Sequence, residues 1–141
     1  MTDRCDITAL VHAYARLIDA GDLDGVAALF EHATWRSAAH GTVLRGTAEV
    51  RTAYDRIRLY DGTPRTKHLI TNLTIDVEPD ADAATAHCYF SVLQNLRAGD
   101  PIGITVSGQY IDQFAKVGGA WRFADRLFIA DLEGDQRRTL G

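Results

Sequence analysis

Between Ile7 and Ala20 the apolar side chains recur at Ile7, Leu10, Val11, Tyr14, Leu17 and Ile18. Steps of three and four put them on one stripe of an α-helix. Gly21 is placed to end that helix, because glycine takes the left-handed conformation of a helix C-terminus without a Cβ penalty. Asp22 can then cap a second, short helix over Leu23 to Phe30. Strand-like pieces follow around Trp35 and over Thr42 to Arg45, with His40-Gly41 turning between them. Gly46-Thr47 opens a third helix that the pattern carries to Tyr60, with Val50, Tyr54 and Ile57 on one face.

After Asp61-Gly62-Thr63-Pro64 the period changes. Four long strand-like runs cover Thr66 to Val77, Ala84 to Asn95, Ile102 to Phe114 and Trp121 to Asp131. Turn-rich pieces separate them: Glu78-Pro79-Asp80, Ala98-Gly99-Asp100-Pro101 and Gly118-Gly119. Helices first and an antiparallel meander after them predict an α+β fold. No repeat or linker interrupts the order, so one domain over residues 1–141 is expected. A twisted sheet of this length can wrap around a helix and enclose a pocket. In HLITNLTIDV, strict alternation puts His68, Ile70 and Asn72 on one face and Leu69, Leu73 and Ile75 on the other. The second set suits a core or a subunit interface; the first faces water or a semi-polar cavity. In WRFADR, Arg122, Ala124 and Arg126 share one face, and Trp121, Phe123 and Leu127 the other.

Composition narrows the function. The formal net charge of -4, with no basic run, disfavours a nucleic-acid partner, which needs a Lys/Arg-rich surface. No apolar run approaches the roughly 18 residues of a membrane span. MTDRCDITAL has no apolar signal core, so a cytoplasmic location is expected. Cys5 and Cys88 form no CxxC pair and read as reduced thiols. His12, His32, His40 and His87 are scattered, without metal-ligand spacing, and no metal or other cofactor is expected.

Two residues of the first helix invite chemistry. Tyr14 sits among apolar neighbours, so its ring should be buried and its hydroxyl should want a partner. Asp19 lies in the last turn, where an acid opposes the helix dipole. It is either a solvated turn acid, like Asp22 and Asp24, or one held there by a partner elsewhere. Trp35, Tyr54, Phe90 and Tyr110 are core aromatics or apolar pocket walls, and Arg126 is exposed or reaches into a pocket.

The ordered set AYARLIDAGDLDGVAALF, RTKHLITNLTIDV, SGQYIDQF and AWRFADRLFIAD resembles the SnoaL-like family, part of the superfamily named after nuclear transport factor. The resemblance covers nearly the whole chain. It implies a cone-shaped fold in which N-terminal helices cap a curved antiparallel sheet around a deep pocket. Members include scytalone dehydratase, bile-acid dehydratase, hexachlorocyclohexane dehydrochlorinase, polyketide cyclases and the small subunit of ring-hydroxylating dioxygenases. In the eliminating members an acid on the first helix pairs with a histidine on the first long strand; Asp19 and His68 match those positions. Tyr14 matches a tyrosine of bile-acid dehydratase, and Arg126 falls near an arginine that some relatives use to hold the leaving group. The face bearing His68, Ile70 and Asn72 would then line the pocket. The stretch CYFSVLQN departs from bile-acid dehydratase in offering no carboxylate. The resemblance therefore implies a cofactor-independent lyase, most simply a dehydratase, for a hydrophobic cyclic, polyketide- or steroid-like molecule. Its alternatives are a cyclase or isomerase with the same base, and a ligand-binding module or dioxygenase small subunit. Homodimers through the exposed sheet face are common in the superfamily and are expected here.

Overall fold

The structure, a computed structural model, describes residues 2–80 and 82–141. Helix α1 (Asp3–Asp19) starts at Thr2, whose side chain accepts from the Cys5 N–H, and carries Asp3 and Asp6 in its first turn, where the dipole favours acids. Its apolar stripe buries Ile7, Val11, Tyr14, Ala15 and Ile18. At Gly21 the chain turns with φ +79°, and Asp22 caps α2 (Leu23–Ala28) by accepting from Gly25 N–H at 2.9 Å. Strands β1 (Thr34–Ser37) and β2 (Thr42–Arg45) form a hairpin, and α3 (Gly46–Thr52) follows. Helix α3 stops well short of Tyr60. The backbone beyond it is engaged elsewhere: Arg58 N–H donates to Thr139 O at 2.8 Å, and Ile57 forms a bridge with Leu140.

Strands β3 (Thr66–Val77), β4 (Ala83–Gln94), β5 (Gly103–Val117) and β6 (Ala120–Glu133) form the antiparallel meander. The six strands make one curved, unclosed sheet in the order β2-β1-β6-β5-β4-β3. Strand β1 runs parallel to β6, a pairing the meander pattern did not indicate. The N-terminal helices cover the inner face, where Phe30, Phe90, Tyr110, Phe114 and Phe123 are fully buried against Ile7, Val11 and Val26.

Of four register shifts in the sheet among the described residues, two reset the alternation around the candidate residues. In β3 the pairing passes from Thr71–Tyr89 to Thr74–His87, so two residues oppose one, and Asn72 takes a left-handed φ of 54°. One extra residue exchanges the two faces of every position beyond it. His68 and Ile70 face inward before the bulge, and Leu73, Ile75 and Val77 face inward after it. This corrects the split of HLITNLTIDV by strict alternation. In β6 the pairing passes from Asp125–Gln113 to Phe123–Phe114, which leaves Ala124 extra. Trp121 and Phe123 are therefore followed on the inner face by Arg126, and Leu127 turns outward, again against the strict alternation.

The outer face carries the exposed apolar side chains Leu69, Tyr89, Ile104, Ile111 and Leu132. A polar row crosses it from His87 to Gln109 (2.8 Å) to Asp131 (2.9 Å). Among the described residues, no helix is long and apolar enough to cross a membrane.

Candidate active site

Asp19 is the last residue of α1, and its carboxylate reaches β3, the edge strand of the sheet. Its Oδ1 accepts from the Thr66 hydroxyl at 2.8 Å and lies 2.6 Å from His68 Nδ1. Its Oδ2 accepts from the His68 backbone N–H at 2.8 Å. That N–H points away from β4, so an edge-strand donor is satisfied by the acid. These three bonds offset the poor placement of an acid at a helix C-terminus. Burial by itself would raise the Asp19 pKa. The bonds from the His68 ring, its backbone and Thr66 outweigh burial and hold the carboxyl below its ordinary value. An ionised Asp19 accepts from Nδ1–H, which fixes the tautomer and leaves the Nε2 lone pair free. Both side chains are largely shielded, at 9% exposed for His68 and 12% for Asp19.

His68 lines a cavity of about 540 Å³ between the helices and the inner sheet face. The same cavity is lined by Tyr14, Trp35, Tyr54, Phe90 and Tyr110. The Tyr14 and Tyr54 hydroxyls meet at 2.9 Å, both rings buried. Phe90 stacks on Tyr110 with centroids 4.3 Å apart and rings 9° from parallel, and Phe128 links Phe90 to Trp35 at 5.4 and 6.1 Å. The result is a nearly continuous aromatic wall with a pair of hydroxyls on it. Burial pushes the pKa of the Tyr54 and Tyr110 hydroxyls well above the ordinary phenol value, so both are neutral phenols at pH 7.

Asp19 does not line that cavity; it faces a groove lined also by Arg16, Lys67 and His68, so His68 borders both spaces. Asn72 lines neither space: it sits exposed at the bulge, where its left-handed backbone is what it contributes. Arg126 does not line the cavity either. It is 0% exposed and binds Asp112 with two bonds, Nε to Oδ1 at 2.7 Å and Nη2 to Oδ2 at 2.9 Å. Burial disfavours its charge, but the Asp112 carboxylate more than compensates and holds its pKa above the ordinary guanidinium value. Cys88 is buried beside this pair, and burial pushes its thiol up to about 11, so it is no thiolate nucleophile at neutral pH.

Sequence reasoning missed several contributors, among them His40, Arg56 and Glu133 in the cavity lining. Thr66 anchors Asp19, and only a known Asp19 position would have pointed to it. Gln136, Thr139 and Leu140 close one side of the cavity, held by Arg58 N–H on Thr139 O and by Thr139 Oγ1 on Gln94 Oε1 at 3.0 Å. The segment beyond Glu133 has no periodicity that would announce this.

A curved sheet with helices over its inner face and a cavity between them defines the NTF2-like, cystatin-like class of fold. Residues 1–127 match the model of the SnoaL-like domain, and the chain belongs to that family. Rv3472 of Mycobacterium tuberculosis, a protein of unknown function, is 30% identical, with 92% of this chain and 72% of that one covered and a TM-score of 0.73. An NTF2-like protein with a cystatin-like fold from Novosphingobium aromaticivorans is 22% identical over 96% of this chain and 86% of its own, with a TM-score of 0.74. A protein described as a candidate scytalone dehydratase from the same organism is 23% identical over 94% and 87%, with a TM-score of 0.73. At such identities the last two speak for the fold alone. No curated protein matches the chain.

Proposed function

We propose that the protein is a cofactor-independent lyase, most simply a dehydratase, acting on a hydrophobic cyclic carbonyl compound of polyketide- or steroid-like character. The observation that carries this reading is the 2.6 Å Asp19–His68 pair with its imidazole in the wall of an aromatic cavity. His68 Nε2 takes a proton from the carbon beside the carbonyl, and Asp19 stabilises the imidazolium that forms. Tyr14, bonded to Tyr54, donates to the carbonyl oxygen as enolate charge develops. The enolate then expels the β-hydroxyl, which leaves as water with a proton from His68 or Tyr14. Trp35, Phe90 and Tyr110 form an apolar wall around the ring system and exclude water.

A cyclase or isomerase with the same base is favoured by one observation. Strand β4 turns no carboxylate into the cavity: Ser91 bonds Ser107 on the outer face, and Gln94 is tied to Pro64 O and Thr139. A reaction that needs a single base fits that strand, although Glu133 from β6 and His40 also line the cavity. Product mass separates the two, since only dehydration loses a water.

The test is turnover of a panel of cyclic β-hydroxy ketones by the wild type, His68→Ala and Asp19→Asn. Loss of general-base help lowers turnover by about 10²–10⁴-fold. Wild-type turnover in both variants contradicts the assignment. The apolar outer sheet face supports a homodimer formed through Leu69, Tyr89, Ile104, Ile111 and Leu132. Light scattering that gives the monomer mass at micromolar concentration contradicts the dimer.

A further inference from the structure

The proposed elimination makes no use of Arg126 and Asp112, yet they form an ion pair with neither side chain reaching solvent. Withdrawing two charges from water is costly, and their mutual attraction roughly balances that cost, so stability alone is a weak reason for such a pair. Its placement offers a better one. The guanidinium lies over the Tyr110 ring at 3.8 Å and over the Tyr14 ring at 4.3 Å. Both residues also line the cavity, the other face of Tyr110 being taken by Phe90 at 4.3 Å, and the Tyr14 hydroxyl meets that of Tyr54. A cation on a ring face draws π density toward itself and leaves the phenol O–H a stronger donor. Burial keeps solvent from screening the effect. Asp112 occupies Nε and Nη2, while Nη1 has no partner among the described residues. Burial and the Tyr14 hydroxyl raise the pKa of Tyr54 and Tyr110 overall; the Arg126 charge opposes that rise at both, and at Tyr110 it acts more strongly than Asp112 does in the other direction.

We propose that Arg126, fixed by Asp112, is a positioning residue that acts through the Tyr14 and Tyr110 rings to make the Tyr14–Tyr54 hydroxyl pair selective for an oxyanion. It touches no ligand. The ligand class that follows is flat cyclic compounds bearing an oxygen that gains negative charge, namely enolates and phenolates. The inference rests on the carbonyl-elimination reading for its biological meaning, but it is testable without a substrate.

The probes are 4-nitrophenol, whose phenolate is distinguished by its absorbance, and nitrobenzene, which keeps the ring and lacks the hydroxyl. Both are titrated against the wild type, Arg126→Met/Asp112→Leu, Tyr14→Phe and the triple variant. The double replacement exchanges the pair for apolar side chains of similar volume, the change that buried ion pairs tolerate best. The wild type binds the phenolate in preference to nitrobenzene. The double replacement lowers that ratio about fivefold or more, the size expected of a desolvated cation–π contact, with nitrobenzene affinity unchanged. In the Tyr14→Phe background the same replacement has at most a minor further effect. A second variant, Arg126→Lys, keeps the cation without its flat stacking and gives an intermediate ratio. The proposal is overturned if the wild type shows no phenolate preference, if both probes weaken in step, if Arg126→Lys matches the wild type, or if the effect is undiminished without the Tyr14 hydroxyl. His68→Ala separates the two readings. The phenolate preference persists in that variant, and its disappearance there would assign the selectivity to the imidazole. Failure of the elimination reading shows instead as unchanged turnover in His68→Ala.

Discussion

Replacing Asp19 by Asn exchanges two carboxylate oxygens for one carbonyl and one amide group at a place where three donors converge: the Thr66 hydroxyl, the His68 ring and the His68 backbone N–H. If the amide faces the backbone N–H, two donors meet and an edge-strand group is left without a partner. The other orientation wins, because Thr66 can rotate its hydroxyl to accept and the His68 ring can move its proton to Nε2. That second change removes the lone pair from the nitrogen free to act as base. Activity falls by about 10²–10⁴-fold while the cavity stays intact. Stability falls less. Three bonds lose their charge-assisted component, about 1 kcal/mol each, and relief of the buried charge returns part of that, for a net loss of about 1–3 kcal/mol. For a domain of this size the unfolding midpoint drops by about 4–10 °C. The pH dependence has a definite sign. The Asp19 carboxyl is held below its ordinary value of 3.8 in the folded protein, so its contribution is present above that pH and is lost as pH falls through the folded value. The gap between wild type and variant in thermal unfolding followed by circular dichroism is therefore full at pH 7 and closes below about pH 4. Equal midpoints at pH 7, or a gap that stays constant to pH 3, would refute the reasoning.

Further outcomes follow from single positions. Asn72→Val forces a β-branched residue into the left-handed bulge and costs about 1–2 kcal/mol in urea unfolding, whereas Asn72→Gly changes stability by at most about 0.5 kcal/mol. Gly21→Ala places a Cβ 2.1 Å from the Gly62 carbonyl oxygen at a φ of +79° and costs about 3 kcal/mol or more, with the end of α1 and Asp19 displaced. Asp112→Leu alone strands the Arg126 charge in the core and costs about 3–5 kcal/mol in the same assay; adding Arg126→Met recovers most of it.

The local periods of the chain gave up most of the elements. The α1 stripe, the Gly21-Asp22 junction and the four long strands follow from patterns spanning a few residues, and the structure shows them within a few residues of their expected ends. What failed were the faces of β3 and β6. A period of two carries no information about where an extra residue enters, so the bulges at Asn72 and Ala124 exchanged inside and outside beyond them. Asn72, assigned to the pocket, became the hinge of one bulge, and Arg126 was carried behind the tyrosines by the other. The parallel β1–β6 pairing and the closure of the cavity by residues 136–140 depend on contacts from 45 to 91 residues apart, which no local window senses. Asp19 and His68 were joined by the family resemblance; from the residues alone an acid in a helix's last turn and a lone histidine on a strand remained two separate facts.

The central claim is that Nε2 of His68, oriented by Asp19 through Nδ1, removes a proton from carbon. Exchange of the acidic hydrogens of a cyclic ketone such as 2-tetralone in deuterated water, followed by proton NMR, tests it without knowledge of the natural substrate. The wild type should accelerate exchange above buffer, His68→Ala should return it to the buffer rate, and Asp19→Asn should slow it by about 10²-fold or more. Buffer-rate exchange with the wild type, or exchange by His68→Ala as fast as the wild type's, would contradict it.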